Sequence, residues 1–254
     1  MITESFDDKS EAIITPASFY GEPQKLCDIA IATYSREIYP MVLDMFAHEQ
    51  IGEMRSVNRL KPIHMLDVDG IKIAFYLSEL GSAFSATDVL EVNHKTGAGH
   101  FVIFGSAGAL DNELTRDKYL IPTESYRDEG MSYHYAPPAD YIKISNAETM
   151  AQLFEGLKVP YVKGRIWTTD AIYRETRNSV AARKAEGCIA VDMEAAGLQA
   201  VCDFHGIELY NFLVIGDVVD QTDYTPEGLH DANHSLDKFY IALKIAKWIK
   251  THRL

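Results

Sequence analysis

Apolar residues fall into short runs along this chain, and three consecutive runs toward its carboxyl-terminal end are the most regular. Residues 189–192 form a compact run with β-branched members, which is typical of a buried strand. Over 193–204 the apolar residues recur at spacings of three and four, which predicts a helix that ends at Gly206. The mostly apolar run 209–215 predicts a second core strand, whose carboxyl end carries Asp217 to the edge of the sheet.

Similar runs over the rest of the chain predict further strands and helices. An Asp-Gly pair between the apolar runs 60–68 and 71–76 indicates a β-hairpin. The polar segment 221–233 predicts a flexible lid over Asp217. The other predicted strands are 27–32, 101–104, 161–167 and one that ends at 120–122, and the other predicted helices run to about residue 50, to about residue 94, over 146–157 and over 235–250.

Two of these helices begin at residues with capping side chains, Asn146 and Ser235. The final helix is amphipathic, as expected for a helix that packs on a sheet through one face. Its predicted inner face consists of Leu236, Phe239, Tyr240, Leu243 and Ala246.

The order of elements predicts an α/β fold with one domain, built on a central mixed β-sheet that helices flank. We place this domain at 27–254. The preceding segment, 1–26, is polar and contains proline and glycine, so we expect an irregular arm. No internal repeat interrupts the pattern.

Composition narrows the functional classes. The chain has 254 residues and a net charge of −13, which argues against a nucleic-acid surface because such surfaces need clustered Lys and Arg. Its three cysteines form no CxxC pair, so we predict neither a metal site nor a disulfide framework, and we expect a reducing compartment. No run resembles a signal peptide or a membrane span, and we therefore expect a cytoplasmic protein without a membrane partner.

Two acids occupy the predicted edge of the sheet. Glu194 lies where the strand 189–192 meets its helix, and Asp217 follows the next strand. Acids beside helix N-termini often only complement the helix dipole, and this structural role is an alternative to a chemical one.

Two short sequences around these acids carry a family resemblance. The run VDMEAAG at 191–197, with Gly216–Asp217 after the next strand, resembles the signature of the nucleoside phosphorylase family, which comprises purine and uridine phosphorylases and related nucleosidases. The run GSAG at 105–108 is similar to a loop of the same family. The resemblance implies the family's fold and a homodimer or homohexamer.

The resemblance also implies roles at the sugar and at the base. Met193 packs against the ribose, and Glu194 accepts hydrogen bonds from its hydroxyls. Asp217 is the acid that protonates a purine base as it leaves, since a purine leaves badly as an anion. The base-binding set implied is Ile172, Tyr173, Arg177 and Asp217, with Tyr173 or Trp167 as alternatives for the aromatic ring that many members place at Ile172.

A phosphate site is implied at Arg36, Gly105 and Ser106, together with Arg59, which matches an arginine that reaches across a dimer interface. One family ligand is missing, because Ile103 stands where phosphorylases carry an arginine. Glu37 falls where nucleosidases keep an acid that activates water.

The resemblance therefore predicts a nucleoside phosphorylase, a pentosyltransferase. It would convert a purine nucleoside and phosphate to free base and ribose 1-phosphate, with phosphate as co-substrate and no metal or organic cofactor. Two alternatives stay open. One is a nucleosidase that uses water, favoured by Ile103, and the other is a homologue that binds nucleosides without turnover.

Overall fold

Eleven strands form one continuous mixed sheet in the part of the chain that the computed structural model describes, namely residues 1–57, 60–219 and 223–254. The strands are β1 (Ile29–Thr33), β2 (His48–Arg55), β3 (Leu60–Val68), β4 (Ile71–Leu77), β5 (His100–Ala109), β6 (Tyr119–Asp128), β7 (Tyr141–Lys143), β8 (Tyr161–Thr169), β9 (Cys188–Asp192), β10 (Glu208–Val219) and β11 (Tyr224–Thr225).

Helices lie between these strands, and two short 3₁₀ turns occur at Ile2–Glu4 and Ile172–Arg174. No helix among the described residues is long and apolar enough to cross a membrane. The helices are α1 (Ala17–Tyr20), α2 (Ile38–Met45), α3 (Ser82–Thr96), α4 (Asn112–Thr115), α5 (Ser132–Tyr135), α6 (Ala147–Gly156), α7 (Arg177–Ala185), α8 (Ala195–His205), α9 (Leu229–His234) and α10 (Asp237–His252).

The sheet closes on itself over part of its width. Its strand order is β11-β10-β6-β8-β9-β5-β1-β4-β3-β2, with β7 paired to β6. Strand β10 also pairs with β5, so β5, β10, β6, β8 and β9 form a closed ring. Strand β1 continues the sheet beyond the ring, parallel to both β4 and β5. The predicted mixed sheet with flanking helices is confirmed.

Successive side chains along the central strands point to opposite faces of the sheet, so each face has its own core. In β1, Ile29 and Ile31 point into a core that contains α2, α6 and α10, whereas Ala30 and Ala32 point into one that contains α3 and α8. Both faces are covered, which is why the central strands are apolar at nearly every position.

A third core lies within the ring. One or more residues from each of its five strands meet there, together with Ala195 at the start of α8. The members from the strands are Ala107, Leu120, Ile166, Ile189, Ala190 and Leu213. This core fixes the relative positions of β5, β9 and β10, the strands that carry the candidate site residues.

The predicted hairpin is confirmed, since β3 and β4 pair antiparallel around Asp69–Gly70. The helix predicted to run to about residue 50 is present as α2, but its predicted end is wrong, because α2 ends at Met45 and β2 follows it. Strand β2 is an edge strand with only Met54 buried. The sequence of β2 is mostly polar and shows no apolar run, so its pairing with β3 could not be predicted from the sequence.

Two predicted strand ends lie inside strands. The glycines of the GSAG run were expected in a loop, but β5 continues through them to Ala109. Strand β10 likewise extends past Asp217 to Val219, with an irregularity in its pairing between Ile215 and Asp217. Pairing between β5 and β10 carries both strands beyond their apolar runs, and this long-range contact overrides the local turn signal.

The helix boundaries also differ in detail from the prediction. Helix α8 begins at Ala195 rather than at residue 193, and it ends at Gly206 as predicted. Asn146 precedes α6, but its side chain donates to the carbonyl of Leu209 instead of capping the helix. Helix α10 begins at Asp237, and Ser235 does not cap it.

The predicted inner face of α10 needs one correction, because Tyr240 is 46% exposed. The predicted polar loop 221–233 contains β11 and all but the last residue of α9, while residues 220–222 lie outside the described part of the chain. The division into an arm over 1–26 and a domain over 27–254 stays a prediction.

Candidate active site

A cavity of about 310 Å³ opens where the carboxyl end of β1 and the middle of β5 meet the segment that contains α9 and the start of α10. Ligands of open α/β sheets bind at this edge. Four predicted site residues, Arg36, Gly105, Ser106 and Glu194, line this one cavity. The other lining residues are Thr33, Tyr34, Ser35, Leu80, Phe104, Asn233, His234 and Lys238.

Glu194 is a buried carboxylic acid in the wall of this cavity, with 8% of its surface exposed. Its Oε1 accepts a hydrogen bond of 2.7 Å from the backbone N–H of Gly81. Burial, and then the nearby charge of Asp192, raise the pKa of Glu194 to about 8, while the Gly81 bond acts in the opposite direction. Ligand hydroxyls that donate to this carboxylate would stabilise its charged form.

Asp192 fixes the backbone around Glu194. Its Oδ2 accepts from the N–H of Ala195 at 2.8 Å and of Glu194 at 3.2 Å, which satisfies amides at the start of α8. Its Oδ1 accepts from the Thr168 hydroxyl at 2.6 Å. Met193 lies between the two acids, partly buried, and its carbonyl accepts from the Ser82 hydroxyl at 3.1 Å.

The GSAG segment contributes strand backbone and one hydroxyl to the cavity. Gly105 packs closely against Tyr34, because a Cβ on this glycine would lie 3.2 Å from the Tyr34 ring. The Ser106 hydroxyl donates to Oδ1 of Asn233 over 2.5 Å, and this bond connects β5 to α9. A neutral donor and a glycine backbone at this place are suited to an anion or a polar ligand.

Two cationic side chains border the same cavity. Arg36 is exposed at its rim, and Lys238 is buried with 1% of its surface exposed. The Lys238 ammonium donates to the carbonyls of Ala232 and Asn233 near the end of α9, and burial lowers its pKa to about 8. Arg59 lies outside the described residues.

Ile103 is fully buried in the core that contains α3 and α8. A charge there would replace an apolar side chain in a packed core, so we expect Ile103→Arg to destabilise the fold rather than improve phosphate binding.

Asp217 lies beyond the lining of this cavity, on the next strand. It pairs with Gly108 in the register of β10 and β5, and a Cβ on Gly108 would lie 3.4 Å from its Oδ1. Burial raises the pKa of Asp217, and a hydrogen bond from Tyr224 partly offsets that effect. A half-buried carboxyl with a raised pKa is suited to the role of a general acid.

Glu175 is a second acid on this side. Burial and the charge of Asp217 raise its pKa to about 7. Tyr224 interacts electrostatically with Asp217, Glu175 and Tyr173, so these four side chains influence one another's charge.

The remaining predicted base-binding residues are exposed. Ile172 is 52% and Tyr173 is 96% exposed, on the 3₁₀ turn after β8, and Arg177 begins α7 with its side chain exposed. Trp167 is 2% exposed in the core and donates to Asp128, so it cannot serve as the alternative aromatic platform.

Several polar residues at the site were missed by sequence reasoning. Among them are Asp192, Glu175, Asn233 and Lys238. Lys238 left a signal, since it shares helical spacing with Ile241 and Ile245 and therefore belongs to the buried face of α10. Glu175 and Asn233 lie in polar segments without periodicity, where nothing marks a residue that tertiary contacts bring to the site.

Next to the cavity, the side chains of Glu37, His230 and His234 come close enough together to hold a metal ion. His234 also lines the cavity.

Comparison with known families places residues 29–243 within a model described as the phosphorylase superfamily. An uncharacterized protein of Acanthamoeba polyphaga mimivirus is 27% identical over 55% of this chain and 54% of its own length. A DeoD-type purine nucleoside phosphorylase of Exiguobacterium is 25% identical over 58% of this chain and 64% of its own length. The chain thus spans between about half and two thirds of these two relatives.

Two solved structures share the fold. AMP nucleosidase from Bacteroides thetaiotaomicron superposes with a TM-score of 0.65 at 20% identity, over 89% of this chain and 91% of that one. A futalosine hydrolase mutant of Helicobacter pylori gives a TM-score of 0.67 at 16% identity, over 87% of this chain and 100% of that one.

Proposed function

This chain belongs to the phosphorylase superfamily, and from that premise we propose that it cleaves the N-glycosidic bond of a purine nucleoside with phosphate as the nucleophile. The observation that carries this proposal is the single cavity that Glu194, Arg36, Gly105 and Ser106 share. It combines an acceptor suited to sugar hydroxyls with donors and a cation suited to phosphate. The products would be free base and ribose 1-phosphate.

Glu194 would hold the ribose. Breaking the C1′–N bond builds positive charge on the sugar, and a carboxylate that accepts from the 2′- and 3′-hydroxyls stabilises that charge. The bond from Gly81 to Oε1 fixes the orientation of the carboxylate before the substrate arrives. Met193 would pack its thioether against the sugar.

Asp217 would protonate the departing base. A purine gains negative charge as it leaves, and a proton delivered to N7 lowers the barrier. Burial keeps the proton on Asp217 to a higher pH than usual, because it raises the pKa of the carboxyl. Ile172, Tyr173 and Arg177 remain proposed contacts for the base.

Phosphate would bind between Arg36 and the Gly105–Ser106 backbone. The Ser106 hydroxyl, which now donates to Asn233, would donate to a phosphate oxygen. Lys238 adds positive charge behind this part of the wall. With Ile103 unable to contribute, we expect a high phosphate requirement.

Product analysis tests the proposal. Purified protein would be incubated with inosine, adenosine and uridine, with and without phosphate, and the sugar products would be identified by ³¹P NMR and chromatography. We expect purine release that depends on phosphate and yields ribose 1-phosphate. Free ribose formed at the same rate with or without phosphate would overturn phosphorolysis.

A second candidate, hydrolysis of the same bond, is favoured by the position of Glu37. Its Oε1 lies 3.6 Å from Nε2 of His234, a lining residue of the cavity, so an acid that could activate water stands next to the site. The burial of Ile103 and the names of both solved relatives, a nucleosidase and a hydrolase, agree with this candidate.

The proposed chemistry is acid–base and electrostatic, so phosphate is its only co-substrate and no organic cofactor or catalytic metal is required. We also propose a homodimer or homohexamer in which Arg59 reaches the phosphate site of a neighbour. A cytoplasmic location agrees with the three free, buried cysteines.

A further inference from the structure

A cluster of two histidines and one glutamate lies beside the cavity, and we call it the Glu37 cluster. His230 and His234 are four residues apart on α9, so their rings project from the same side of the helix, with centroids 4.8 Å apart. Glu37 reaches them from the start of α2. The ligand atoms of the three side chains all lie within 4.8 Å of one another.

Both imidazoles direct the same ring nitrogen toward the same oxygen. Nε2 of His230 and Nε2 of His234 each lie 3.6 Å from Oε1 of Glu37. In a tetrahedral zinc site with bonds of about 2.0–2.1 Å, neighbouring ligand atoms are separated by about 3.4 Å. The two measured separations are therefore already close to those that a bound ion requires.

The other nitrogen of each ring also has a partner. Nδ1 of His234 lies 2.6 Å from the Ser35 hydroxyl, and Nδ1 of His230 lies 3.4 Å from Oδ1 of Asp231. Metal-binding histidines usually donate their second N–H to an oxygen in this way, which fixes the ring and leaves the first nitrogen free for the ion. Ser35 is itself held by the amides of Glu37 and Ile38.

We propose that Glu37, His230 and His234 form a binding site for one divalent transition-metal ion of the zinc type. Two imidazoles and one carboxylate are ligands that zinc prefers, whereas magnesium and calcium prefer oxygen ligands alone. The side chain of His230 is 74% exposed, so its ring has room to turn toward an ion held by the other two ligands. The site goes beyond the proposed phosphorolysis, in which Glu37 has no role.

The test uses untagged protein from which metal has been removed with a chelator. Zinc chloride is titrated by calorimetry, and cobalt binding is followed by its visible absorption, which reports a tetrahedral site. We expect one ion per chain and no displacement by excess magnesium. Removal of an outer partner of a ligand typically costs about 10–100-fold in affinity, so Asp231→Asn should weaken zinc binding about 10-fold.

His230→Gln and His234→Gln each remove a ligand and should weaken zinc binding by more than about 100-fold. His252→Gln, on an exposed histidine at the end of α10, is the matched control and should bind zinc as the native protein does. Circular dichroism of the metal-free variants checks their folding, and His230→Gln keeps the test valid if His234→Gln does not fold. Native affinity in a folded His230→Gln variant, or no uptake by the native protein, would overturn the proposal.

Discussion

Glu194 and Asp217 are both acids at the closed ring of strands, but the fold holds them differently. Glu194 lies in the short turn between β9 and α8, is 8% exposed, and accepts a hydrogen bond from the backbone of Gly81. Asp217 follows an irregularity in β10, and its partner Tyr224 belongs to the two-residue edge strand β11. The carboxylate proposed for the sugar is therefore held in the core, whereas the residues proposed for the base depend in part on exposed segments.

We relate this difference to the two tasks of the proposed site, which are bond cleavage at the sugar and recognition of the base. Groups that stabilise charge at the sugar must be fixed before the substrate binds, and buried strand ends provide that rigidity. Base recognition can vary between relatives, and surface segments tolerate such variation. Ile172, Tyr173 and Arg177, which we propose as contacts for the base, are exposed residues of such segments.

The largest expected effect is at Asp217. Asp217→Asn removes the proposed acid, and general acids contribute about 10²–10⁴-fold, so kcat for inosine should fall by that factor. Asp223→Asn, on an exposed acid in the next segment, is the control and should retain native kcat. Near-native turnover of inosine by Asp217→Asn would exclude it as the acid.

Glu194→Gln should have the next largest effect. It replaces charge-assisted hydrogen bonds to the sugar, each of which contributes roughly 1.5–3 kcal/mol, so kcat/KM should fall about 10–150-fold. Steady-state kinetics with inosine and with adenosine measure kcat/KM for each substrate. An unchanged kcat/KM for both substrates would contradict the ribose assignment.

The same variant also has a predicted effect on stability. The folded state raises the pKa of Glu194 to about 8, so between about pH 4.5 and 8 the folded protein binds more protons than the unfolded chain. The stability that the protonated Glu194 contributes is fully present below about pH 4.5 and is lost as the pH rises toward 8. Glu194→Gln cannot ionise, so its Tm relative to the native protein should be higher at pH 8 than at pH 5. Equal differences at both pH values would contradict a buried, proton-binding Glu194.

Arg36→Gln tests the phosphate contact at the rim. Loss of one exposed cation should raise the KM for phosphate about 10-fold and leave the KM for inosine nearly unchanged. Arg116→Gln, on an exposed arginine after α4, serves as the control. If both variants keep the native KM for phosphate, Arg36 does not bind it.

Glu175→Gln should have the smallest effect. An ionised Glu175 adds negative charge near Asp217 and makes its proton harder to remove. Without that charge, the alkaline limb of the pH profile of kcat/KM should move to lower pH by less than about one unit. A shift to higher pH, or none, would show that Glu175 does not act on Asp217.

The strand and helix around Glu194 were easier to predict from the sequence than the segments that carry the proposed base contacts, for a physical reason. Buried strands and the helix after them leave a periodic pattern, so the elements around Glu194 could be located from residue spacing alone. The extension of β5 and β10 beyond their apolar runs could not be predicted, because it depends on pairing between strands far apart in the chain. The partners of Lys238 could not be predicted either, because its buried ammonium donates to carbonyls that the separate helix α9 supplies.

The Glu37 cluster could not be predicted from the sequence either, because Glu37 is far from the two histidines in the chain. Glu37 and the histidines of α9 lie near opposite ends of the chain, in a turn and in a segment predicted to be a polar loop. Metal-ligand spacing is visible in a sequence only when the ligands are neighbours. Here the glutamate joins them only through the packing of α9 beside the end of β1.

A comparison of inosine with 7-methylinosine tests the proposed division of roles between Glu194 and Asp217 most directly. The methylated base carries a positive charge and leaves as a neutral molecule, so it needs no proton at N7. Asp217→Asn should therefore lower kcat/KM for inosine by at least about 10²-fold but that for 7-methylinosine by less than about 10-fold, whereas Glu194→Gln should lower both to a similar extent. Equal losses on both substrates in Asp217→Asn would contradict the account.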